Sequence, residues 1–380
     1  MKIVIDDKIP YIKGVVEPYA DVFYLPGPVC AHGVGSEADA WIIRTRTKCD
    51  EASLRNTSVK FIATATIGFD HIDTKWCDDN HIAWTNAPGC NAGSVRQYMA
   101  AVLATIAEHR GFCFADMTLG VVGVGNVGGQ VAQLGRELGM NVLLNDPPRA
   151  RKEGADAFVT LEKVVRQSDV ISLHVPLNRT GEDKTFHLFD ETMLCKMRPN
   201  AVLVNSSRGE TVKNCALKNA LKAKILGAAV LDVWENEPDI DLELLPLLEI
   251  ATPHIAGYSA DGKANGTAMS IQALSRFFRL PLENWRPDNL PPPLQPLCFK
   301  IDGTGKTQQQ CICEAILHSY PVSEDDCRLR FSPETFEKQR GNYPVRREFE
   351  AYTIQVENVS PETKIQLQTL GFHIDNFEPI

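Results

Sequence analysis

The sequence lacks a surplus of basic residues. Its 39 lysines and arginines are outnumbered by 48 aspartates and glutamates, which gives a formal net charge of −9 at pH 7. A protein that binds nucleic acid needs a basic face, so this composition argues against a nucleic-acid partner. It also means that an anionic substrate would need a local cluster of cations and amide donors, because the molecule as a whole repels it.

The chain also lacks the patterns of secreted, membrane and metal-binding proteins. None of its 11 cysteines forms a Cys-x-x-Cys pair, which argues against a zinc site or a disulfide framework and predicts reduced thiols. No apolar run is long enough to span a bilayer, and the first residues lack the apolar core of a signal peptide. We therefore expect a cytoplasmic protein with no metal and no membrane partner.

Short apolar runs alternate with helical patterns, which predicts an α/β fold built on parallel strands. A chain of 380 residues exceeds one typical core, so several domains are expected. Residues 281–296 contain six prolines, a composition that favours an extended linker. The segment 298–380 is long enough for a small domain, with helices predicted around 308–318 and 362–370 and a strand at 352–356.

A glycine-rich turn follows the predicted strand 118–122 and begins a predicted helix. It supplies the candidate cofactor contacts Gly123, Gly125, Asn126, Val127 and Gly128. In this context the glycines permit a tight turn and close approach of a pyrophosphate, which the amides at the helix N-terminus would bind.

Asp146 ends the next predicted strand, 18 residues after Gly128 (146 − 128). Its carboxylate would accept hydrogen bonds from an adenosine ribose and would repel a 2′-phosphate. The pattern therefore predicts a Rossmann-type domain that binds NAD in preference to NADP. Arg149, three residues further on, slightly weakens that preference because it could accept the phosphate.

Three ionisable residues, Arg208, Glu237 and His254, each come just after a short apolar run. Open α/β sheets place their chemistry beyond the carboxyl ends of such strands. His254 could take the hydroxyl proton of a 2-hydroxy acid while hydride leaves C2, with Glu237 orienting the ring. Arg208 could bind the substrate carboxylate through two parallel hydrogen bonds. Each could alone be a buried histidine or an ion pair, but behind a dinucleotide turn they predict a dehydrogenase.

The chain resembles the D-isomer-specific 2-hydroxyacid dehydrogenase family. The motifs that carry the resemblance are residues 123–128, 173–177, 205–209, 231–238 and 252–258. Further segments resemble the group within this family that oxidises 4-phospho-D-erythronate in vitamin B6 biosynthesis, namely residues 64–71, 87–91, 146–149 and 342–348. The resemblance thus spans nearly the whole chain.

This resemblance implies a division into domains. Residues 96–254 would form the Rossmann-type NAD-binding domain. Residues 1–95 and 255–285 would together form a discontinuous, flavodoxin-like substrate domain. Residues 286–297 would be a proline-rich linker, and residues 298–380 a small α/β domain through which two copies form a homodimer.

The resemblance also implies roles for single residues. The catalytic positions would be Arg208, Glu237 and His254. Cofactor contacts are expected at Asp146, Val175, Ser207, Asp232 and Gly257, with Asp232 near the nicotinamide carboxamide. Substrate contacts are expected at Thr45, Thr66 and Tyr258. Thr45 stands where the narrower group carries Ser, and Val175 where it carries Thr.

One of two consecutive arginines is a candidate ligand of the substrate phosphate. The resemblance suggests that Arg347 reaches the phosphate bound to the partner subunit. The plain alternative is that Arg346 and Arg347 form a surface ion-pair cluster with Glu348 and Glu350, since exposed pairs are common and weak.

Three functions are compatible with these residues. The leading hypothesis is NAD-dependent oxidation of 4-phospho-D-erythronate, a phosphorylated 2-hydroxy acid, to 2-oxo-3-hydroxy-4-phosphobutanoate. A second is 3-phosphoglycerate dehydrogenase or another D-2-hydroxyacid dehydrogenase, with a regulatory C-terminal domain. A third, of a different class, is an NAD-sensing interaction protein that resembles a corepressor on the same fold.

Overall fold

The computed structural model describes residues 1–29 and 33–375, which form two compact units. The first unit contains Met1–Asn91 and Ser259–Pro291, and the second contains Ala92–Tyr258 and Pro292–Ile380. The chain therefore crosses between units after residues 91, 258 and 291, whereas the sequence placed the first two crossings after residues 95 and 254 and a linker at residues 286–297. The predicted division into three domains stays a prediction.

A five-stranded parallel sheet forms the centre of the first unit. In spatial order its strands are Asp21–Leu25, Lys2–Asp6, Ala40–Ile43, Phe61–Thr64 and Ala83–Thr85. This is the flavodoxin-like strand order, so the fold predicted for this part is confirmed. The helices of the unit are α-helices Glu51–Leu54, Thr74–Asp79 and Ala260–Phe278 and 3₁₀ helices Gly27–Val29 and Gly33–Glu37.

Burial explains which strands of this sheet the sequence predicted. Ala40–Ile43 and Phe61–Thr64 are buried at every position, as expected for central strands of a parallel sheet with both faces covered. Asp21–Leu25 lies at the edge of the sheet, and none of its residues is fully buried. That strand was not predicted although residues 22–25 are all apolar, because so short an apolar run does not by itself indicate a strand.

A six-stranded parallel sheet forms the centre of the second unit. In spatial order its strands are Ile250–Ala251, Ala228–Leu231, Val202–Asn205, Val170–Leu173, Thr118–Val122 and Asn141–Asn145. The strand order reverses at Thr118–Val122, and ligands of open α/β sheets bind at such switch points. The Rossmann-type fold predicted for this part is confirmed.

Helices cover both faces of this sheet. The α-helices are Ala92–Arg110, Asn126–Glu137, Pro147–Glu153, Leu161–Gln167, Glu191–Leu194 and Asn214–Lys222, and the 3₁₀ helices are Phe114–Asp116, Gly209–Thr211 and Leu245–Leu247. Ala92–Arg110 begins where the chain enters the second unit. It is buried along most of its length, which requires covering elements on more than one side.

The C-terminal segment, residues 292–375, supplies one of those covering elements. Its strands Cys298–Asp302, Thr353–Glu357 and His373–Asp375 form a parallel three-stranded sheet. Its α-helices are Gln308–Ser319, Val322–Phe331, Phe336–Gly341 and Pro361–Leu370, and its 3₁₀ helices are Pro333–Thr335 and Phe349–Ala351. Ile312 and Ile316 from this segment share one core with Tyr98 and Val102 of Ala92–Arg110. The segment therefore packs as part of the second unit.

Residues 1–29 and 33–375 contain neither a membrane-spanning helix nor a candidate metal-binding group of side chains. No helix there is both long enough and apolar enough to cross a bilayer. No group of three or more histidine, cysteine, aspartate or glutamate side chains there is arranged to hold a metal ion.

Candidate active site

The glycine-rich turn has the geometry that a dinucleotide site requires. Gly123 has a φ of +85°, and a Cβ atom there would lie 2.5 Å from the carbonyl oxygen of His174. A Cβ at Gly128 would lie 1.9 Å from the carbonyl oxygen of Gly123. A side chain at Gly128 would therefore push the helix Asn126–Glu137 away from the turn, and one at Gly123 would collide with the segment that follows Val170–Leu173.

Gly125 differs from these two glycines because the space beside it is open. It is exposed, and a Cβ placed on it would meet nothing within 4 Å. It is also the N-cap of Asn126–Glu137, and no side chain there hydrogen-bonds to the first turn. The first-turn amides, which include those of Val127 and Gly128, lack a side-chain cap and can receive an anionic group. This open cradle fits a pyrophosphate.

Asp146 is held beside the turn by two backbone amides. Its carboxylate oxygens accept hydrogen bonds from the amides of Val124, at 2.8 Å, and Arg149, at 3.0 Å. The second of these bonds caps the helix Pro147–Glu153. The Arg149 guanidinium bonds to the carbonyl oxygen of Val124 and pairs with Glu153. Asp146 is therefore fixed next to the turn, and Arg149 is already engaged.

Val175 and Ser207 lie on two other segments that lead away from the sheet. The side chain of Val175 would contact a Cβ at Gly123 at 2.8 Å, so Val175 borders the glycine turn directly. Ser207 is buried, and its amide and hydroxyl both donate to the Asn205 side-chain oxygen, at 3.1 and 2.9 Å. Asn205 in turn donates to the carbonyl oxygen of Arg208. These bonds fix the loop that carries Arg208.

Arg208 is half-buried on an extended backbone just before a 3₁₀ turn. Its Nη1 donates to the carbonyl oxygen of Ser207 at 2.8 Å. The next residue, Gly209, is packed so tightly that a Cβ would lie 1.9 Å from the carbonyl oxygen of Trp234. This close approach brings the Arg208 loop against the segment that leads to Glu237.

Glu237 and His254 form the hydrogen-bonded pair predicted from the sequence. The Nδ1 atom of His254 lies 2.7 Å from Oε2 of Glu237, and Oε1 of Glu237 accepts from the amide of Trp234 at 2.9 Å. Because Nδ1 is engaged, Nε2 is the ring atom available for proton exchange. His254 has a φ of +56°, and its amide donates to the carbonyl oxygen of Asp232 at 2.7 Å.

The charge state of Glu237 results from opposing effects. Burial favours the neutral acid, but the hydrogen bond and charge of His254, the Trp234 amide and the charge of Arg340 together outweigh it and lower the pKa of Glu237. Glu237 is therefore a carboxylate near neutral pH. The ionised Glu237 carboxylate holds Nδ1 of His254 by a hydrogen bond, which leaves Nε2 as the ring atom that can accept a proton from a substrate.

Asp232 is buried and organises the catalytic loop, which we define as residues 252–258. Its side chain is almost completely inaccessible and accepts hydrogen bonds from Thr252 Oγ1 and the amides of Ile255 and Ala256, at 2.7, 2.7 and 3.0 Å. Burial raises the pKa of Asp232, although these donors and the charge of His254 oppose the rise. The structure thus gives Asp232 a role in loop geometry, and the predicted contact with the cofactor stays a prediction.

Comparison with known proteins identifies the family. The model of the D-isomer specific 2-hydroxyacid dehydrogenase, NAD binding domain, matches residues 94–256. An erythronate-4-phosphate dehydrogenase of Bacteroides fragilis is 48% identical over 94% of this chain and 99% of its own length. One from Proteus mirabilis is 40% identical over 98% of this chain and 99% of its own length. The chain belongs to the erythronate-4-phosphate dehydrogenase family.

Solved structures support the fold of this family. The crystal structure of D-lactate dehydrogenase from Aquifex aeolicus, complexed with NAD and lactic acid, has a TM-score of 0.60 and 25% identity, and covers 74% of this chain and 97% of its own chain. D-2-hydroxyisocaproate dehydrogenase has a TM-score of 0.62 at 23% identity and shows the same fold. A separate model, described as a domain of unknown function, matches residues 294–371.

The predicted substrate contacts fall in both units. Thr45 and Thr66 belong to the first unit, where they follow the neighbouring strands Ala40–Ile43 and Phe61–Thr64. Thr45 is exposed, whereas the Thr66 hydroxyl bonds to Thr64 and to the carbonyl oxygen of Gly68. Both residues thus lie at the carboxyl edge of one sheet, which is the edge where such folds bind ligands.

Gly257 and Tyr258 belong to the second unit and end the catalytic loop. The Tyr258 ring packs edge-on against Tyr343 of the C-terminal segment, with ring centres 5.8 Å apart. The guanidinium carbon of Arg340 lies 5.9 Å from the centre of the Tyr258 ring. Sequence reasoning missed Arg340, because it lies in a short helix with no motif and only the fold brings it beside the loop.

The two consecutive arginines lie in different surroundings. Arg347 is half-buried, and its carbonyl oxygen accepts a hydrogen bond from Gln97 at 2.7 Å. Arg346 is only 4% exposed, so it is not part of a surface ion-pair cluster. A buried cation needs specific partners. The predicted reach of Arg347 to a partner subunit stays a prediction.

Proposed function

We propose that this protein oxidises the C2 hydroxyl of 4-phospho-D-erythronate with NAD to give 2-oxo-3-hydroxy-4-phosphobutanoate, a step of vitamin B6 biosynthesis. The observation that carries the proposal is the Glu237–His254 pair, 2.7 Å apart, in a chain with the glycine turn and the family membership described above. NAD, when bound, accepts the hydride from C2.

The protein's own residues supply the rest of the chemistry. Nε2 of His254 takes the hydroxyl proton as the C2–H bond breaks, and ionised Glu237 stabilises the imidazolium that results. Arg208 binds the substrate carboxylate and so orients C2. The amides at the start of Asn126–Glu137 would hold the pyrophosphate of NAD, and Asp146 would accept hydrogen bonds from its ribose hydroxyls.

The test is a comparison of substrates with NAD in excess. We expect NADH formation with 4-phospho-D-erythronate to exceed that with 3-phospho-D-glycerate, which is shorter by one hydroxymethylene, and with unphosphorylated D-erythronate. A preference for 3-phospho-D-glycerate would support the second hypothesis instead. NAD binding without oxidation of any of the three acids would favour an NAD-sensing interaction protein.

We further propose that two copies form a homodimer through the C-terminal segment. Three large apolar side chains of this segment are exposed in the single chain, with Leu294 75%, Phe331 89% and Ile365 62% exposed. Exposed apolar side chains mark a contact surface where they form a contiguous patch. Light scattering should give twice the chain mass, and Phe331→Ser should shift the protein towards monomer. A monomeric wild-type protein at micromolar concentration would contradict the proposal.

A cytoplasmic location stays a prediction. In the homodimer, Arg347 is the residue that we expect to approach the substrate phosphate of the partner subunit.

A further inference from the structure

The C-terminal segment is attached to the strand that precedes the catalytic loop. Ile250–Ala251 is the edge strand of the second sheet, so its outer backbone groups lack a neighbouring strand. The amide of Ala251 donates to Oδ1 of Asp326 at 2.7 Å. Arg330, four residues further along the same helix, pairs with Asp326. The Asp326 side chain of the helix Val322–Phe331 thus accepts the hydrogen bond from the Ala251 amide that a neighbouring strand would otherwise accept.

Arg330 also binds the backbone that leads into the edge strand. Its Nη1 and Nη2 atoms donate to the carbonyl oxygens of Leu245 and Leu248, both at 2.9 Å. The helix therefore bonds to three backbone groups within residues 245–251, all of them just ahead of His254.

A second attachment lies on the other side of His254. Nη2 of the buried Arg346 donates to the carbonyl oxygen of Ala256 at 2.6 Å. The amide of that same residue donates to Asp232 at 3.0 Å. Two buried side chains therefore hold the backbone of Ala256. The Asp232 carboxylate binds its amide, and the Arg346 guanidinium binds its carbonyl oxygen.

Two tyrosine rings lie beside the buried Arg346 guanidinium. Its guanidinium carbon lies 4.3 Å from the ring centre of Tyr320 and 5.9 Å from that of Tyr343. Nε and Nη1 have no hydrogen-bond partner among the described residues. Burial of a cation with two unused donors is costly. An apolar residue would fill the same space without that cost, so the bonds made by Nη2 account for the arginine. The shorter one is to Ala256, and a longer one, at 3.4 Å, is to the carbonyl oxygen of Ser94.

We infer that the C-terminal segment positions the proton-transfer residue His254 by holding the backbone on both sides of it, at Ala251 and at Ala256, with Asp326 and Arg346 as the positioning residues. This assigns a catalytic support role to the segment matched as a domain of unknown function, in addition to dimerisation. The inference rests on the proposed role of His254. It explains why His254 can keep a left-handed backbone conformation, which residues other than glycine rarely adopt.

The test compares Arg346→Met and Asp326→Ala with a matched control in the full-length protein. The control is Gln309→Met, because Gln309 also ties the C-terminal segment to the rest of the unit, through Phe112 and the amide of Phe114. Its bonds lie at the far end of Ala92–Arg110, away from the catalytic loop in the chain. The control therefore reports what loss of an attachment does in general.

Two measurements distinguish positioning from stability. The first is the single-turnover rate of NADH formation, for which misplacement by about 1 Å can cost about 100-fold. We expect a drop of roughly 10- to 100-fold in Arg346→Met and Asp326→Ala, and little change in Gln309→Met even if its Tm falls. The second is hydrogen exchange of a peptide that contains residues 251–258, which should accelerate in the two test variants only.

Conservative variants supply the rescue. Asp326→Asn keeps an acceptor oxygen for the Ala251 amide and should regain most of the rate that Asp326→Ala loses. If Arg346→Met fails to fold, the comparison of Asp326→Asn with Asp326→Ala still tests whether the C-terminal segment positions His254. Wild-type rate and exchange in folded Arg346→Met or Asp326→Ala would overturn the inference, as would equal losses in the control. If the wild-type protein does not oxidise 4-phospho-D-erythronate, the proposed function fails, while the exchange data still decide whether the loop is held.

Discussion

Substitution of glycines in the dinucleotide turn separates the folding role of this turn from its binding role. In Gly128→Ala the new Cβ would lie 1.9 Å from the Gly123 carbonyl oxygen, whereas real Cβ contacts essentially never fall below 3.0 Å. The helix Asn126–Glu137 must therefore move by about 1.1 Å (3.0 − 1.9). Such overpacking costs about 1–3 kcal/mol. The better helix propensity of alanine recovers about 0.5–1 kcal/mol, which leaves a net loss of up to about 2.5 kcal/mol.

The same movement weakens cofactor binding. The amides at the helix N-terminus withdraw from the pyrophosphate, and a hydrogen bond to a charged group contributes about 1.5–3 kcal/mol. Loss of one such bond raises the Kd for NADH at least about tenfold. Gly128→Ala should therefore lose both stability and affinity.

Gly125→Ala should lose affinity alone. Its Cβ meets nothing within 4 Å, and the φ of −76° suits alanine, so the fold is not strained. The methyl group nevertheless occupies the cradle in which the pyrophosphate approaches the backbone. Gly129→Ala is the control, since Gly129 lies in the same helix with open space beside it. It should gain about 0.5–1 kcal/mol of stability and keep wild-type affinity.

Titration of NADH by its fluorescence and thermal unfolding of the apo proteins measure the two effects separately. The reasoning is refuted if Gly125→Ala binds NADH as tightly as the wild type. It is equally refuted if Gly129→Ala loses as much affinity as Gly125→Ala, because the loss would then follow helix composition and not the cradle.

Three further predictions follow from the same site. His254→Gln should keep NADH binding but lose turnover by about 10²- to 10⁴-fold, the usual contribution of a general acid–base; steady-state rates above about a third of wild type would remove His254 from the mechanism. Asp146→Ala should narrow the preference for NAD over NADP in equilibrium binding, and equal wild-type affinities for the two would contradict the assignment. The pKa of Glu237 is lowered in the folded state, so its stabilising contribution is present above the ordinary glutamate pKa and is lost as pH falls through the folded value. Thermal melts between about pH 7 and pH 3 should therefore show a smaller acid-side fall of Tm in Glu237→Gln, and identical slopes would disprove this.

Local patterns made the central strands and the cofactor turn predictable. The strand Thr118–Val122 begins and ends where its apolar run predicted. The glycines at 123, 125 and 128 occur where their lack of a side chain is needed. Edge strands were harder, since Asp21–Leu25 and His373–Asp375 have no fully buried residue. One-sided or partial burial leaves little trace in a short sequence.

The pairing of Glu237 with His254 was predictable for a related reason. Both residues follow strands of one parallel sheet, and the carboxyl ends of such strands meet at one edge. The chemistry of a carboxylate and an imidazole then suggests the contact. Their separation of 2.7 Å and the left-handed conformation of His254 came only from the structure.

The sequence by itself determined the fold class, the family and the cofactor turn, and it supplied the candidate catalytic side chains, because these depend on residues close together in the chain or on sheet edges that topology brings together. Only the tertiary structure decided the surroundings of Arg340 and Arg346. Both lie more than 80 residues beyond the catalytic loop (340 − 258), Arg340 in a short helix and Arg346 in the irregular segment that follows it. Their partners are an aromatic ring and a backbone carbonyl, and neither kind of partner has a sequence signature, because any residue supplies a carbonyl and only packing brings it within reach.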